Sequence, residues 1–194
     1  MENKEFGISR RDFLKGTAAS VAAMSILNVA PVLADDSMKI NKVNQVPKYV
    51  FLFIGDGMSY PQIQASSYYL GATNQNAVIS EDLEFMKFPV NGSQESFDST
   101  SFCPDSASTA TSIATGYKTK SGTINRDEKG TKSYVTIAEK LKQQKNYKIG
   151  VISSVNLNHA TPAAFYAHQD SRKNYYEIGE ELVKSGFDYF AGGA

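Results

Sequence analysis

Six apolar residues in an unbroken row, Tyr49-Val50-Phe51-Leu52-Phe53-Ile54, run directly into Gly55-Asp56-Gly57. A row without polar alternation cannot serve a strand that has one wet face. It predicts a strand covered on both sides, the mark of a parallel sheet with helices on its two faces. A second row of this kind, Tyr147 to Val155, lies downstream, and Phe187-Asp188-Tyr189-Phe190 begins another. Phe88 to Ser96 has the length of a shorter strand. Between these rows the spacing turns helical. Pro61 to Leu70 carries Ile63, Ser67 and Leu70 on one side. Asp105 to Thr115 is built from small residues and stops at Gly116, as a buried helix with a glycine C-cap would. Val135 to Gln144 sets Ile137, Ala138 and Leu141 opposite its lysines, and Tyr175 to Ser185 is helical in pattern. Strands alternating with helices predict an α/β fold, a doubly wound, largely parallel sheet with flanking helices.

The first residues follow a different logic. Ser9-Arg10-Arg11-Asp12-Phe13-Leu14-Lys15 precedes a weakly apolar stretch from Gly16 to Val29, which ends in Ala30-Pro31-Val32-Leu33-Ala34. Twin arginines ahead of a short apolar core and small residues predict a Tat-type export signal over 1–34, cut after Ala34, with the domain proper at 35–194. The core is too short and alanine-rich for a stable membrane anchor. The expected location is periplasmic or extracellular. Tat export moves folded proteins, often with a metal already loaded, which points toward a metalloprotein.

Composition narrows the chemistry further. Lysine plus arginine equals aspartate plus glutamate at 20 each in 194 residues, and removing residues 1–34 leaves 16 against 17. A chain without a basic field is not built for nucleic acid. The single cysteine, Cys103, excludes an internal disulfide and a thiolate zinc cluster, and two histidines restrict any metal site to carboxylates and hydroxyls for most of its ligands.

Five positions could carry chemistry. Asp56, at the carboxyl end of the first predicted strand, can reach a cation there or simply make an Asx-turn. Ser106 opens the small-residue helix, where free N–H groups stabilise an anion; Asp105 or Ser106 can equally be a plain N-cap. No G-x-S-x-G elbow surrounds Ser106 and no histidine is placed as its base, so activation would fall to a bound metal ion. His159 and Thr161 follow the second apolar strand and sit two apart, so they could complete a mixed nitrogen and oxygen site with a carboxylate; a loop histidine with ordinary partners is the alternative. Arg172 can clamp a phosphate through two N–H groups, or face water. His168 lacks comparable placement and is expected to be structural.

Taken together these segments resemble one family. F-I-G-D-G-M at 53–58, C-P-D-S-A-S-T-A-T at 103–111, T-G-Y-K-T-K-S-G-T-I at 115–124, N-H-A-T-P-A-A-F-Y-A-H at 158–168 and the trailing F-D-Y-F-A-G-G-A are similar to alkaline phosphatases, in order, from about Val46 to Ala194. The resemblance implies an exported phosphomonoesterase using two zinc ions and one magnesium ion. Ser106 would become a phosphoserine, and Asp56 would bridge a zinc and the magnesium. Thr161 would bind magnesium, with His159 touching that ion directly or through water. Arg172 would hold two phosphate oxygens, oriented by Asp105. It also implies phosphate monoester substrates and a homodimer. The match covers less than half of a typical member, and Gly192-Gly193 leads toward a loop where α/β sites are completed. This polypeptide is therefore expected to be inactive or barely active alone. A non-catalytic remnant or phosphate-binding module is the alternative, and a sulfatase or phosphodiesterase of the same superfamily ranks below both.

Overall fold

The computed structural model describes residues 47–75 and 77–193. The predicted signal, residues 1–34, lies outside them. The chain divides after Leu52. Of the first part, only residues 47–52 are described, and they form neither helix nor strand. The elements that follow lie in the second part.

Helix α1 spans Tyr60–Gln75, longer than expected but with the expected covered face: Ser67 is buried while Ile63 and Leu70 are half-buried. The Ser67 hydroxyl donates to the Glu81 carbonyl at 2.6 Å and the Glu81 N–H donates to the Ser67 carbonyl at 3.0 Å, which lays residues 79–81 along the helix. The approach is close at Gly71, where a Cβ would meet the Ile79 carbonyl oxygen at 2.0 Å. A single 3-10 turn follows at Glu84–Lys87.

Helix α2, Ser106–Thr115, begins and ends where its punctuation puts it. Asp105 is the N-cap, its carboxylate accepting from the Ser108 N–H at 3.0 Å, and Gly116 closes the helix at φ 79°. Helix α3, Ile137–Lys145, starts with a capping box in which Thr136 accepts from the Glu139 N–H and Glu139 accepts from the Thr136 N–H. Strand β1 is Gly150–Asn156, α4 is the single turn Ala160–Ala163, α5 is Tyr175–Lys184 and β2 is Tyr189–Gly193. β1 and β2 pair in parallel, Gly150 opposite Tyr189 and Ile152 opposite Ala191, with α4 and α5 in the connection. Parallel pairing with helical crossover is the α/β arrangement expected.

Small side chains let these pieces approach closely. Ala107 and Ala110 of α2 pack with Ala160, Ala163, Ala164 and Ala167 around α4, with Ile124, Tyr166 and Ile178 filling the same core. Buried Asn125 donates to the carbonyls of Ala164 and Ala167 at 2.7 and 2.8 Å. Beside it, Ile124 and Gln169 exchange backbone hydrogen bonds as an isolated antiparallel bridge. Residues 121–125 are thereby tied to 164–172.

Two expected strands are not there. Tyr49 to Ile54 carries no strand, and its side chains are exposed, Phe53 by 87%. Phe88 to Ser96 is also irregular, with Val90 exposed by 84%. The reason is physical: hydrophobic patterning reports that a segment would gain by burial, whereas a strand exists only through ladder bonds to a neighbour. Among the described residues neither segment has such a ladder. β1 likewise departs from the two-sided burial expected, since Val151 is buried but Ile152 is 76% exposed.

Candidate functional site

Asp56 lies in a tight turn in which the Met58 N–H donates to the Gly55 carbonyl at 3.1 Å. Ser106 is the first residue of α2, held there by the Asp105 cap. The turn from the Asn156 carbonyl to the His159 N–H, 2.9 Å, carries β1 into α4 and places His159 just before the helix and Thr161 within it. Arg172 sits in the turn ahead of α5, anchored by its N–H donating to the Gly122 carbonyl at 2.7 Å.

Two clusters result. In the first, one carboxylate collects two hydroxyls from distant parts of the chain: Ser106 Oγ donates to Asp56 Oδ1 at 3.1 Å, and Thr161 Oγ1 donates to Asp56 Oδ2 at 2.8 Å. In the second, Arg172 spans two groups. Its Nη1 donates to Asp105 Oδ2 at 2.9 Å and its Nη2 lies 3.1 Å from His159 Nε2. Asp105 stands in both the helix cap and the ion pair. Burial alone would push its carboxyl up, but the N–H groups of Ser108 and Gly122 and the Arg172 guanidinium hold it below the usual carboxylate range. All six residues named from the sequence, Asp56, Asp105, Ser106, His159, Thr161 and Arg172, therefore fall into these two contacting clusters, joined by the adjacency of Asp105 and Ser106.

A guanidinium only donates, so His159 Nε2 must accept, and the imidazole proton then resides on Nδ1. That Nδ1 is buried without a partner. In this arrangement the one lone pair of neutral His159 is already engaged by Arg172.

The oxygens of Asp56, Ser106 and Thr161 are a hard donor set. It fits magnesium, which keeps several waters and takes few protein ligands. Zinc requires three or more protein ligands. Among the described residues no three His, Cys, Asp or Glu side chains converge, so the zinc pair does not fit the groups at hand.

His168 is half-buried between helices, its side chain 20% exposed. Its Nε2 lies 3.1 Å from the Tyr134 carbonyl and 3.4 Å from Glu139 of α3, and its Nδ1 lies 3.4 Å from Glu181 of α5. Burial would lower its pKa, but the two carboxylates override this and raise it to about 9. Sequence reasoning missed Asp98, a 5% exposed carboxylate seven positions before Asp105. Its one visible signal was the Asp-Ser-Thr-Ser run at 98–101, the composition of an Asx-turn.

Among the described residues no helix is long and apolar enough to cross a membrane. The family model for alkaline phosphatase matches residues 47–188. The signal sequence of the twin-arginine translocation pathway matches residues 7–26, which addresses the chain for export to the periplasm or beyond. The tissue-nonspecific alkaline phosphatase of Mus musculus is 30% identical over 162 residues, covering 78% of this chain and 31% of that protein. The cold-active alkaline phosphatase of a psychrophilic Shewanella superposes with a TM-score of 0.62 at 32% identity, over 70% of this chain and 33% of that one. A variant of TAB5 alkaline phosphatase, with magnesium bound in its M3 site, gives a TM-score of 0.56 at 28% identity over 66% of this chain and 36% of its own. The chain thus spans about a third of the length of the relatives it matches.

Proposed function

Because this chain belongs to the alkaline phosphatase family, we propose that it carries the nucleophile side of an exported, metal-dependent phosphomonoesterase. The observation that carries this reading is the Asp56 carboxylate shared by the Ser106 and Thr161 hydroxyls, beside a guanidinium aimed from the neighbouring residue's partner.

Ser106 Oγ is the nucleophile. It attacks the phosphorus of a monoester in line, the bond to the leaving oxygen breaks, and the alcohol departs with a proton. Water then attacks the phosphoserine and releases inorganic phosphate with Ser106 restored. Throughout, Arg172 binds two phosphate oxygens while Asp105 fixes its plane. The N-terminal N–H groups of α2 face the same negative charge. Asp56 and Thr161 would hold magnesium, supported by the magnesium in the M3 site of the TAB5 variant. Magnesium when bound supplies charge neutralisation and lowers the pKa of a nearby hydroxyl. His159 would border that ion, directly or through water. The described residues do not supply the ligands of the family's zinc pair. With one carboxylate offered to a cation, this chain alone turns over slowly or not at all. That same observation favours a second reading, a phosphate-binding module without turnover.

Hydrolysis of p-nitrophenyl phosphate with and without magnesium, followed by acid quench and mass spectrometry, tests the first reading. Phosphate trapped on Ser106, and loss of both label and hydrolysis in Ser106→Ala, is the expected result. Turnover that survives this substitution removes Ser106 from the role. Calorimetric phosphate binding with no turnover selects the second reading.

A further inference from the structure

Asp98 takes no part in the clusters described above, yet it is the acceptor of an unusually complete set of donors. Oδ1 receives the Thr100 N–H at 2.7 Å, the Thr100 hydroxyl at 3.0 Å and the Ser101 N–H at 2.6 Å. Oδ2 faces the Ser108 hydroxyl at 3.2 Å and receives the Ser121 hydroxyl. The first three bonds close a turn and need only one carboxylate oxygen. The other two reach outward, to α2 and to the turn after it.

Those two targets frame the Asp105–Arg172 pair. Ser108 is capped by Asp105 through its N–H, and its hydroxyl lies 2.9 Å from the same Asp105 Oδ1. The one Ser108 hydroxyl proton therefore has three acceptors within reach: Asp98 Oδ2, Asp105 Oδ1 and the Asp105 carbonyl at 3.1 Å. Ser121 precedes Gly122, whose carbonyl accepts from the Arg172 N–H at 2.7 Å and whose own N–H faces Asp105. A further tie, the Ser99 N–H to the Thr119 carbonyl at 3.1 Å, holds the two loops in register. Burial opposes a charge on Asp98, but its donors outweigh that and hold its carboxyl at about 2, so it is an anion at neutral pH.

We propose that Asp98 is a positioning residue: through Ser108 and Ser121 it sets the Asp105 carboxylate and the Arg172 guanidinium in the orientation that receives a phosphate group. Its final step, the phosphate, rests on the phosphatase reading; its first step, the alignment of Arg172, does not.

Asp98→Asn separates this role from simple support of the loop. The amide keeps one acceptor oxygen for the turn at Thr100 and Ser101, but its nitrogen cannot accept from Ser108 and Ser121. The experiment uses the full chain, 15N-labelled, as wild type, Asp98→Asn, Ser121→Ala and the double variant. Two readouts are taken: the Arg172 side-chain and Gly122 amide resonances, and a titration with inorganic phosphate followed at Arg172. Asp98→Asn is expected to move both resonances, leave Thr100 and Ser101 near their wild-type positions, and weaken phosphate about tenfold; Ser121→Ala weakens it about threefold, and the double variant is no worse than Asp98→Asn. Unmoved Arg172 and Gly122 resonances in Asp98→Asn, or a double variant whose losses multiply, overturns the proposal. Should Asp98→Asn fail to fold, Ser108→Ala and Ser121→Ala each cut one link, and an unmoved Arg172 in both overturns it. A wild-type chain that binds no phosphate sinks the phosphatase reading instead, and the resonances still judge Asp98.

Discussion

Asp105 and Arg172 stand 67 positions apart and meet through a single 2.9 Å hydrogen bond, Nη1 to Oδ2, with both side chains about three-quarters buried. Since Arg172 also reaches His159 through Nη2, its two terminal nitrogens are held in a fixed plane. Lysine has the charge but not the fork. Arg172→Lys is expected to weaken inorganic phosphate on the order of 10- to 100-fold, and to let the Asp105 carboxyl rise toward its ordinary value. Phosphate titration and carboxyl 13C shifts measure the two effects; unchanged affinity refutes the clamp.

His168 gives the fold a pH dependence of definite sign. Its ordinary pKa is near 6.5 and its folded value is about 9, so folding favours the protonated ring. The stabilisation is fully present below about pH 6.5 and is lost as pH rises through 9, on the order of 2–3 kcal/mol. Glu139 and Glu181 face the ring, and Lys142 and Lys184 border the same open cleft of about 260 Å³. Denaturant unfolding of wild type and His168→Gln between pH 6 and 10 checks this. The variant is expected to lose the slope; an equal slope in both assigns it elsewhere.

Gly71 sits inside α1, where alanine normally gains about 1 kcal/mol over glycine. Here the added methyl would lie 2.0 Å from the Ile79 carbonyl, so residues 79–81 must move off the helix. Gly71→Ala is expected to destabilise by about 1–3 kcal/mol despite the propensity gain. A higher melting temperature would contradict the contact.

Thr136 works in two directions. Its hydroxyl accepts from the Glu139 N–H at 3.1 Å and donates to the Phe165 carbonyl at 2.9 Å, while the residue is fully buried. Thr136→Val keeps the shape and removes both bonds, at a cost of about 2 kcal/mol, whereas Thr136→Ser stays within about 1 kcal/mol of wild type. Equal loss in the two variants would locate the effect in packing instead.

What could be read from the sequence was whatever depends on near neighbours. Asp105 and Gly116 bracket α2 because capping chemistry is local, and the α5 to β2 succession follows from a change of period within a few residues. Tyr49–Ile54 and Phe88–Ser96 misled because a strand depends on a partner that no window of sequence contains. In the site, Asp56, Ser106, Thr161 and Arg172 stood out because each sits at an element's end in a motif of known kin. Asp98 did not. Within a Ser/Thr-rich loop it has the look of an ordinary turn, and its decisive partner, Ser121, lies 23 residues away. The tautomer of His159 was equally hidden, since only the approach of Arg172 dictates it.

Asp105 spends one oxygen on starting a helix and the other on steering a guanidinium. Local order and anion occupancy thus share a coordinate. An anion that draws on Arg172 also quiets the opening turn of α2, and fraying of that turn lets the anion go. By mass action, an anion at a hundred times its dissociation constant would deepen the native well by about 2.7 kcal/mol. Slowed amide exchange at Ser108 would then serve as an occupancy gauge that needs no turnover to read.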